Sequence, residues 1–239
     1  MVSKSLHTKF KNQSASNSSC GLCLNNTCLI KRNLKALERS EIVNGKSTIP
    51  CKKGQQFIME GASVNGLFFV LKGKVKVFRT GINGREQIVR FAKEGEIIGH
   101  RGFGTEEQYS IGAIALEDSV LCYFSKDNLQ KALLDNPEFA YDLMLFYANE
   151  LNRSESKVKS ISQMAVRERV IDTLLYIHRK FGDLRGFLNL PLTTEEQVIR
   201  VFSALKKEGL ISVKGKKVAI PDVQLLKNEI SEHNFFLDT

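Results

Sequence analysis

No apolar run in this 239-residue chain approaches the roughly 20 residues that a helix needs to cross a bilayer, and residues 1–19 carry no hydrophobic signal-peptide core. A cytoplasmic protein with no membrane partner is expected. Catalytic constellations are missing too. His7, His100, His178 and His233 are scattered, there is no glycine-rich phosphate loop or metal-hydrolase spacing, and no carboxylates pair convincingly, so no enzyme is expected. Acidic residues are in deficit, 26 against 35 Lys and Arg, for a formal charge of +9. The excess sits mainly near the N-terminus, at Lys4, Lys9, Lys31, Arg32, Lys46 and their neighbours, so net charge alone is weak support for a DNA surface. An even cysteine set is also lacking. Five cysteines, three of them within residues 20–28, argue against a secreted disulfide framework and for thiolate or metal chemistry in a reducing compartment.

The first 19 residues, rich in Ser, Lys and Asn, read as a mobile arm. From about residue 49 to 124 short apolar runs are punctuated by glycine, the pattern of an antiparallel barrel or sandwich. Strands are expected at 56–59, 67–71, 74–78, 87–91, 110–115 and 120–124, with turns at Gly61, Gly66, Gly73 and Asn83-Gly84.

After Asn136-Pro137 the period becomes helical. Phe139, Leu143, Tyr147, Leu151 and Val158 form an apolar seam flanked by Glu150, Arg153, Glu155 and Lys157, the pattern of a two-helix contact between identical chains. Packing on the chain's own barrel is the other reading of that seam. A second helix is expected at 166–181 and a short strand at 187–192. The segment 193–218 then reads as one capped amphipathic helix followed by a basic hairpin, the way many winged-helix DNA readers end. Thr193 with Glu196, or Thr194 with Gln197, gives a capping box, and Gly209 a stop. Val198, Val201, Phe202 and Leu205 make the buried stripe, which turns Glu196, Gln197, Arg200 and Ser203 outward. Arg, Gln and Glu carry the donors and acceptors that read base edges in a major groove.

This order of parts resembles the Crp/Fnr family of bacterial transcription regulators. The most specific stretches are KKGQQFIMEG, GLFFVLKGKVKVF, REQIVRFAKEGEIIG and EEQVIRVFSALKKEGLISVKGKKV. The resemblance implies an α+β chain with an N-terminal β-barrel of the double-stranded β-helix, cyclic-nucleotide-binding-like kind, a long dimerisation helix and a C-terminal winged helix-turn-helix. Its expected divisions are an arm with a cysteine cluster (1–29), an effector-sensing barrel (30–136), a dimerisation helix (137–163) and a DNA-binding domain (164–239). It further implies a homodimer on a near-palindromic operator of double-stranded DNA, with RNA polymerase as a partner, and Glu196, Gln197, Ile199 and Arg200 at the DNA-contacting positions. One departure stands out. About eleven residues that form the first helix and turn of the family's helix-turn-helix are missing between Thr193 and Thr194. The expected function is therefore a DNA-binding regulator controlled by an effector or redox signal. The alternative is a sensor dimer of the same fold that no longer reads DNA.

Family members that bind cyclic AMP hold the ribose with a Gly-Glu pair and the phosphate with an Arg-Ser pair. The matching effector-pocket positions here are Gly99-His100 and Tyr109-Ser110, which lack both the carboxylate and the arginine, so cyclic AMP is not expected. His100-Arg101 reads as a solvated loop, with a different anion site as the sharper alternative. The spacing Cys20-x2-Cys23-x4-Cys28, with Cys122 from the barrel, resembles the oxygen-sensing branch, in which such a quartet holds a [4Fe-4S] cluster. That branch more often has five residues in the second gap. Zinc would accept the same four thiolates, and a metal-free loop beside a buried strand cysteine is the remaining reading.

Overall fold

The computed structural model describes residues 19–37, 41–81, 83–103, 107–182, 195–214 and 217–230. Eight strands make the N-terminal half: β1 (Ser47–Cys51), β2 (Gln56–Ile58), β3 (Gly66–Lys72), β4 (Val75–Thr80), β5 (Glu86–Ala92), β6 (Ile97–Ile98), β7 (Gly112–Ala115) and β8 (Ser119–Ser125). They form two four-stranded antiparallel sheets, ordered β1-β8-β3-β6 and β2-β7-β4-β5. Ladders join strands within each sheet but not between them, so the expected barrel is realised as two open sheets facing one another. Ile58, Val75, Val77 and Ala113 from one sheet meet Val70, Ile98 and Leu121 from the other in a single apolar core.

The Asn83-Gly84 pair sits in the β4–β5 hairpin, where Gly84 takes φ +69° and donates its N–H to the Gly81 carbonyl at 2.9 Å. Gly66, expected as a turn, is instead the first residue of β3. A Cβ there would lie 2.1 Å from the Phe124 carbonyl oxygen, so the glycine permits close strand approach. β1 escapes the sequence reading because Pro50 interrupts it. It is an edge strand, where a missing N–H costs no ladder bond on the open side.

The strand period of two gives the β1-β8-β3-β6 sheet two buried faces. Leu121 points into the inter-sheet core, while Cys122 and Phe124 point outward with Leu67, Phe69 and Ile97. That outer face is covered by short helices α1 (Leu29–Arg32), α2 (Leu34–Leu37) and α3 (Glu41–Asn44), by α4 (Lys126–Asp135), and by the start of α5 (Pro137–Gln163).

Here the expected seam needs correction. Phe139 is fully buried and Leu143 is 8% exposed, both inside this second core, because the first turns of α5 lie against the chain's own helices. Tyr147 is 36% exposed, and its hydroxyl donates to the His100 carbonyl at 2.6 Å. The apolar residues left open include Tyr141, Met144, Leu145, Tyr147, Ala148, Leu151 and Val158. Tyr141, Met144, Ala148, Leu151 and Val158, spaced three, four, three and seven, keep the heptad pattern; Leu151 and Val158 belong to the expected seam, while Tyr141, Met144 and Ala148 stand in place of the buried Phe139 and Leu143.

α6 (Val166–Phe181) ends at Gly182, whose φ of +68° and N–H bond to the His178 carbonyl make a left-handed C-cap. α7 (Glu195–Lys207), the hairpin β9 (Ser212–Lys214) and β10 (Lys217–Ala219), and α8 (Val223–Asn228) follow. Val170, Ile171, Leu174, Leu205, Val218 and Leu226 bind them into a third core. Phe91 of β5 enters it against Tyr176 and Phe181, with ring centroids 6.5 and 6.2 Å away. Arg167 at the start of α6 pairs with both Glu208 and Glu229. The strand expected at 187–192, the caps Thr193 and Thr194, and the junction where the missing helix is inferred all lie outside the described residues.

Candidate functional site

The four cysteines singled out by spacing come from two separate parts of the fold. Ser19 starts a short 3-10 turn (Cys20–Leu22) by accepting from the Gly21 N–H, and Cys28 stands immediately before α1. Cys122 arrives from the middle of β8. Cys20 and Cys122 are buried in the same outer core, Cys28 packs against it, and Cys23 is half-exposed at its edge. The Cys122 sulfur has Cys20, Cys28 and Cys23 as electrostatic neighbours.

Burial pushes the thiols of Cys20 and Cys28 up and that of Cys122 up to about 12, with Lys46 opposing the rise at Cys20 and Cys122. Metal-free, these groups are neutral thiols. An electrophilic iron or zinc centre would have to displace their protons. Among the described residues no three His, Cys, Asp or Glu side chains are already placed to hold a single metal ion. A larger cluster, which takes one thiolate per corner, suits four soft donors gathered around an apolar nest. Cys51 lies in the inter-sheet core, on the other side of the sheet.

Lys46 is the residue that sequence reasoning misplaced. Counted there only in the N-terminal charge excess, it is 4% exposed, and its ammonium hydrogen-bonds Cys20. Its signal is positional. Thr48 is the register partner of Cys122, and a residue two positions before Thr48 shares its face.

Of the expected effector residues, Gly99 and Tyr109 lie against each other, a Cβ on Gly99 falling 2.9 Å from the Tyr109 ring. His100 is 3% exposed rather than solvated, its ring set between Phe146 and Tyr147 at centroid distances of 5.0 and 5.6 Å. Glu150, expected on an open flank, is 5% exposed. Its carboxylate lies 3.6 Å from His100 Nε2, beyond hydrogen-bond reach, and neither ring nitrogen of His100 has a partner among the described residues. Burial alone would raise the Glu150 pKa, but His100, Arg90 and Arg101 outweigh it and hold the group ionised. Burial pushes the His100 pKa below its ordinary value. Tyr109 is also buried, its hydroxyl donating to the Gly66 carbonyl at 2.7 Å. A cleft of about 290 Å³ is lined by Phe57, Phe68, Tyr109 and Tyr123 among others, and is reached by neither Gly99, His100 nor Ser110.

In α7, Leu205 is fully buried and Val201 and Phe202 pack against the third core, which leaves Gln197, Ile199 and Arg200 exposed on the opposite side. Glu196 lies in the first turn of α7, and its side chain is outside the described set. Gly209, with φ +76°, ends the helix, and the β9–β10 hairpin follows as the expected wing. An exposed polar helix face beside a basic hairpin has the shape and donors to enter a major groove.

The family model for the cyclic nucleotide-binding domain matches residues 48–136. Among curated proteins, the transcriptional activator protein FnrA of Stutzerimonas stutzeri is 29% identical over 216 residues, covering 84% of this chain and 86% of that protein. Electron transport regulator A of Shewanella oneidensis is 28% identical over 233 residues, covering 89% and 92%. The solved structure of FixK2 from Bradyrhizobium japonicum has the same fold, with a TM-score of 0.66 at 22% identity over 78% of this chain and 98% of that one. With this domain in its N-terminal half and such relatives along most of its length, the chain resembles the Crp/Fnr family of bacterial transcription regulators.

Proposed function

We propose that the chain is a homodimeric, cytoplasmic regulator that binds a near-palindromic operator through α7 and the β9–β10 wing, and that Cys20, Cys23, Cys28 and Cys122 hold a [4Fe-4S] cluster as its sensor. The observation that carries the reading is the packing of Cys122, on the outward face of β8, in one core with Cys20 and Cys28 of the N-terminal trio. A relative that is an electron transport regulator is in keeping with a redox input.

The open row on α5, from Tyr141 to Val158, is the surface for a second copy. A two-fold axis there sets two copies of α7 about one turn of DNA apart, and RNA polymerase is the downstream partner. Arg200 can donate twice to a guanine, Gln197 can donate to and accept from an adenine, and Ile199 offers an apolar contact such as a thymine methyl accepts.

Bound between the N-terminal turn and β8, a cluster supplies an oxygen-sensitive joint between two parts of the sensor. Cyclic AMP is not the effector in this reading. Where a ribose needs a carboxylate stands the buried His100 ring, and where a phosphate needs an arginine stands Tyr109, already committed to Gly66.

The test is selection of genomic DNA fragments by protein purified without air, run beside an aliquot exposed to oxygen. A shared two-fold motif that disappears in air, with iron and sulfide present only in the anaerobic sample, is the expected result. A folded dimer that enriches no motif in either aliquot overturns the DNA-binding reading.

A further inference from the structure

Placing a lysine in an apolar core is costly unless an anion shares the space. Lys46 is 4% exposed and lies beside Cys20 and Cys122, themselves 6% and 7% exposed. Its position follows from the sheet. In the β1–β8 ladder Ser47 pairs with Tyr123 and Thr48 with Cys122, so Lys46, two residues before Thr48, continues the same face diagonally from Cys122. Its hydrogen bond to Cys20 reaches the other half of the nest. The ammonium thus acts on a thiol from the N-terminal turn and, electrostatically, on the one from the strand.

We propose that Lys46 is the charge-compensating residue of the cysteine nest, its ammonium donating to cluster-bound sulfur and setting both the retention and the reduction potential of the iron–sulfur group. This rests on the cluster reading given above. Four thiolates outweigh the positive charge of an iron–sulfide core, so the loaded site is an anion. A fixed ammonium beside it favours the more reduced, more negative state and raises the potential. Outer-shell partners of this kind typically change metal affinity about 10- to 100-fold when removed.

The experiment is anaerobic reconstitution of the full chain with ferrous iron and sulfide, comparing wild type with Lys46→Met, Lys46→Gln, Lys46→Arg and the exposed-site control Lys35→Met. Iron and sulfide content, midpoint potential and cluster lifetime in air are read for each, with circular dichroism to establish folding. Lys46→Met should retain the cluster about tenfold less well and titrate at a more negative potential. Lys46→Arg should recover part of both effects, and Lys35→Met should match wild type. If Lys46→Met does not fold, the neutral Lys46→Gln carries the same comparison. Wild-type content, potential and lifetime in a folded neutral variant overturn the role of Lys46 alone, as does an equal shift in Lys35→Met. A wild-type chain that takes up no iron and sulfide overturns the cluster reading and this inference together.

Discussion

Tyr147 on α5 donates its hydroxyl to the main-chain carbonyl of His100 at 2.6 Å, so the long helix is fastened to the loop after β6 by a side chain on one part and backbone on the other. Arg101 reinforces the joint by reaching Ser154 Oγ at 2.9 Å. Tyr147→Phe should cost about 1 kcal/mol, rising towards 3 if the carbonyl is left unsatisfied, read as a lower urea midpoint at unchanged slope. An unchanged midpoint would show the bond contributes nothing.

Acid should weaken the same joint. The His100 pKa is lowered on folding from 6.5 and that of Glu150 from 4.5, so each group binds fewer protons folded than unfolded. Their contributions are intact above the unfolded values and are lost as pH falls, His100 first below 6.5 and Glu150 below 4.5. Urea midpoints of wild type should therefore decline from pH 7 towards 5, and His100→Gln should flatten that part of the profile. An equal decline in the variant would assign it to other groups.

The two faces of α5 should respond differently to substitution. Leu151 is 60% exposed in the protomer, so Leu151→Glu should leave the fold intact and convert a dimer to monomer by sedimentation. Phe139→Ala empties a fully buried site and should cost about 3 to 5 kcal/mol. A Leu151→Glu protein that remains dimeric would remove this face from the interface.

Cysteine substitutions separate the faces of one sheet. Cys122→Ser and Cys23→Ser should lose iron and sulfide on anaerobic reconstitution, while Cys51→Ala, altered in the inter-sheet core, should keep them. Retention by Cys122→Ser would exclude the strand cysteine as a ligand.

At the DNA end, Arg200→Ala should weaken specific binding by about 1 to 3 kcal/mol and relax preference at one base pair, measured by fluorescence anisotropy at fixed salt. Unchanged affinity and preference would withdraw the base-reading role of Arg200.

Regular elements were legible where one periodicity dominated. α6 occupies the expected span, and the six expected strands differ from those observed by only a few residues at their ends, because alternation and glycine punctuation there answer to a single core. α5 was harder. It carries apolar residues on two faces, and periodicity does not say which face meets the protomer and which remains open, so Phe139 and Leu143 were assigned outward. His100 was read in a solvated loop, Glu150 as the charged flank of a seam and Lys46 only as part of a charge excess, because polar residues are usually exposed. Their burial depends on neighbours distant in sequence, Tyr147, His100 and Cys122 respectively, which no local pattern reports. The cysteine spacing was informative for the opposite reason, since three ligands on one short loop need little tertiary context.

β8 is hydrogen-bonded along both edges, to β1 on one side and β3 on the other. A strand so enclosed cannot slip by one position without turning its inward residues outward, which gives Cys122 a fixed address in the molecule. Its three companions ride on a 3-10 turn of three residues and a helix of four, with no comparable lattice behind them. Any change of shape on gaining or losing a ligand therefore falls to the N-terminal loop, which travels while the cysteine it meets stands still.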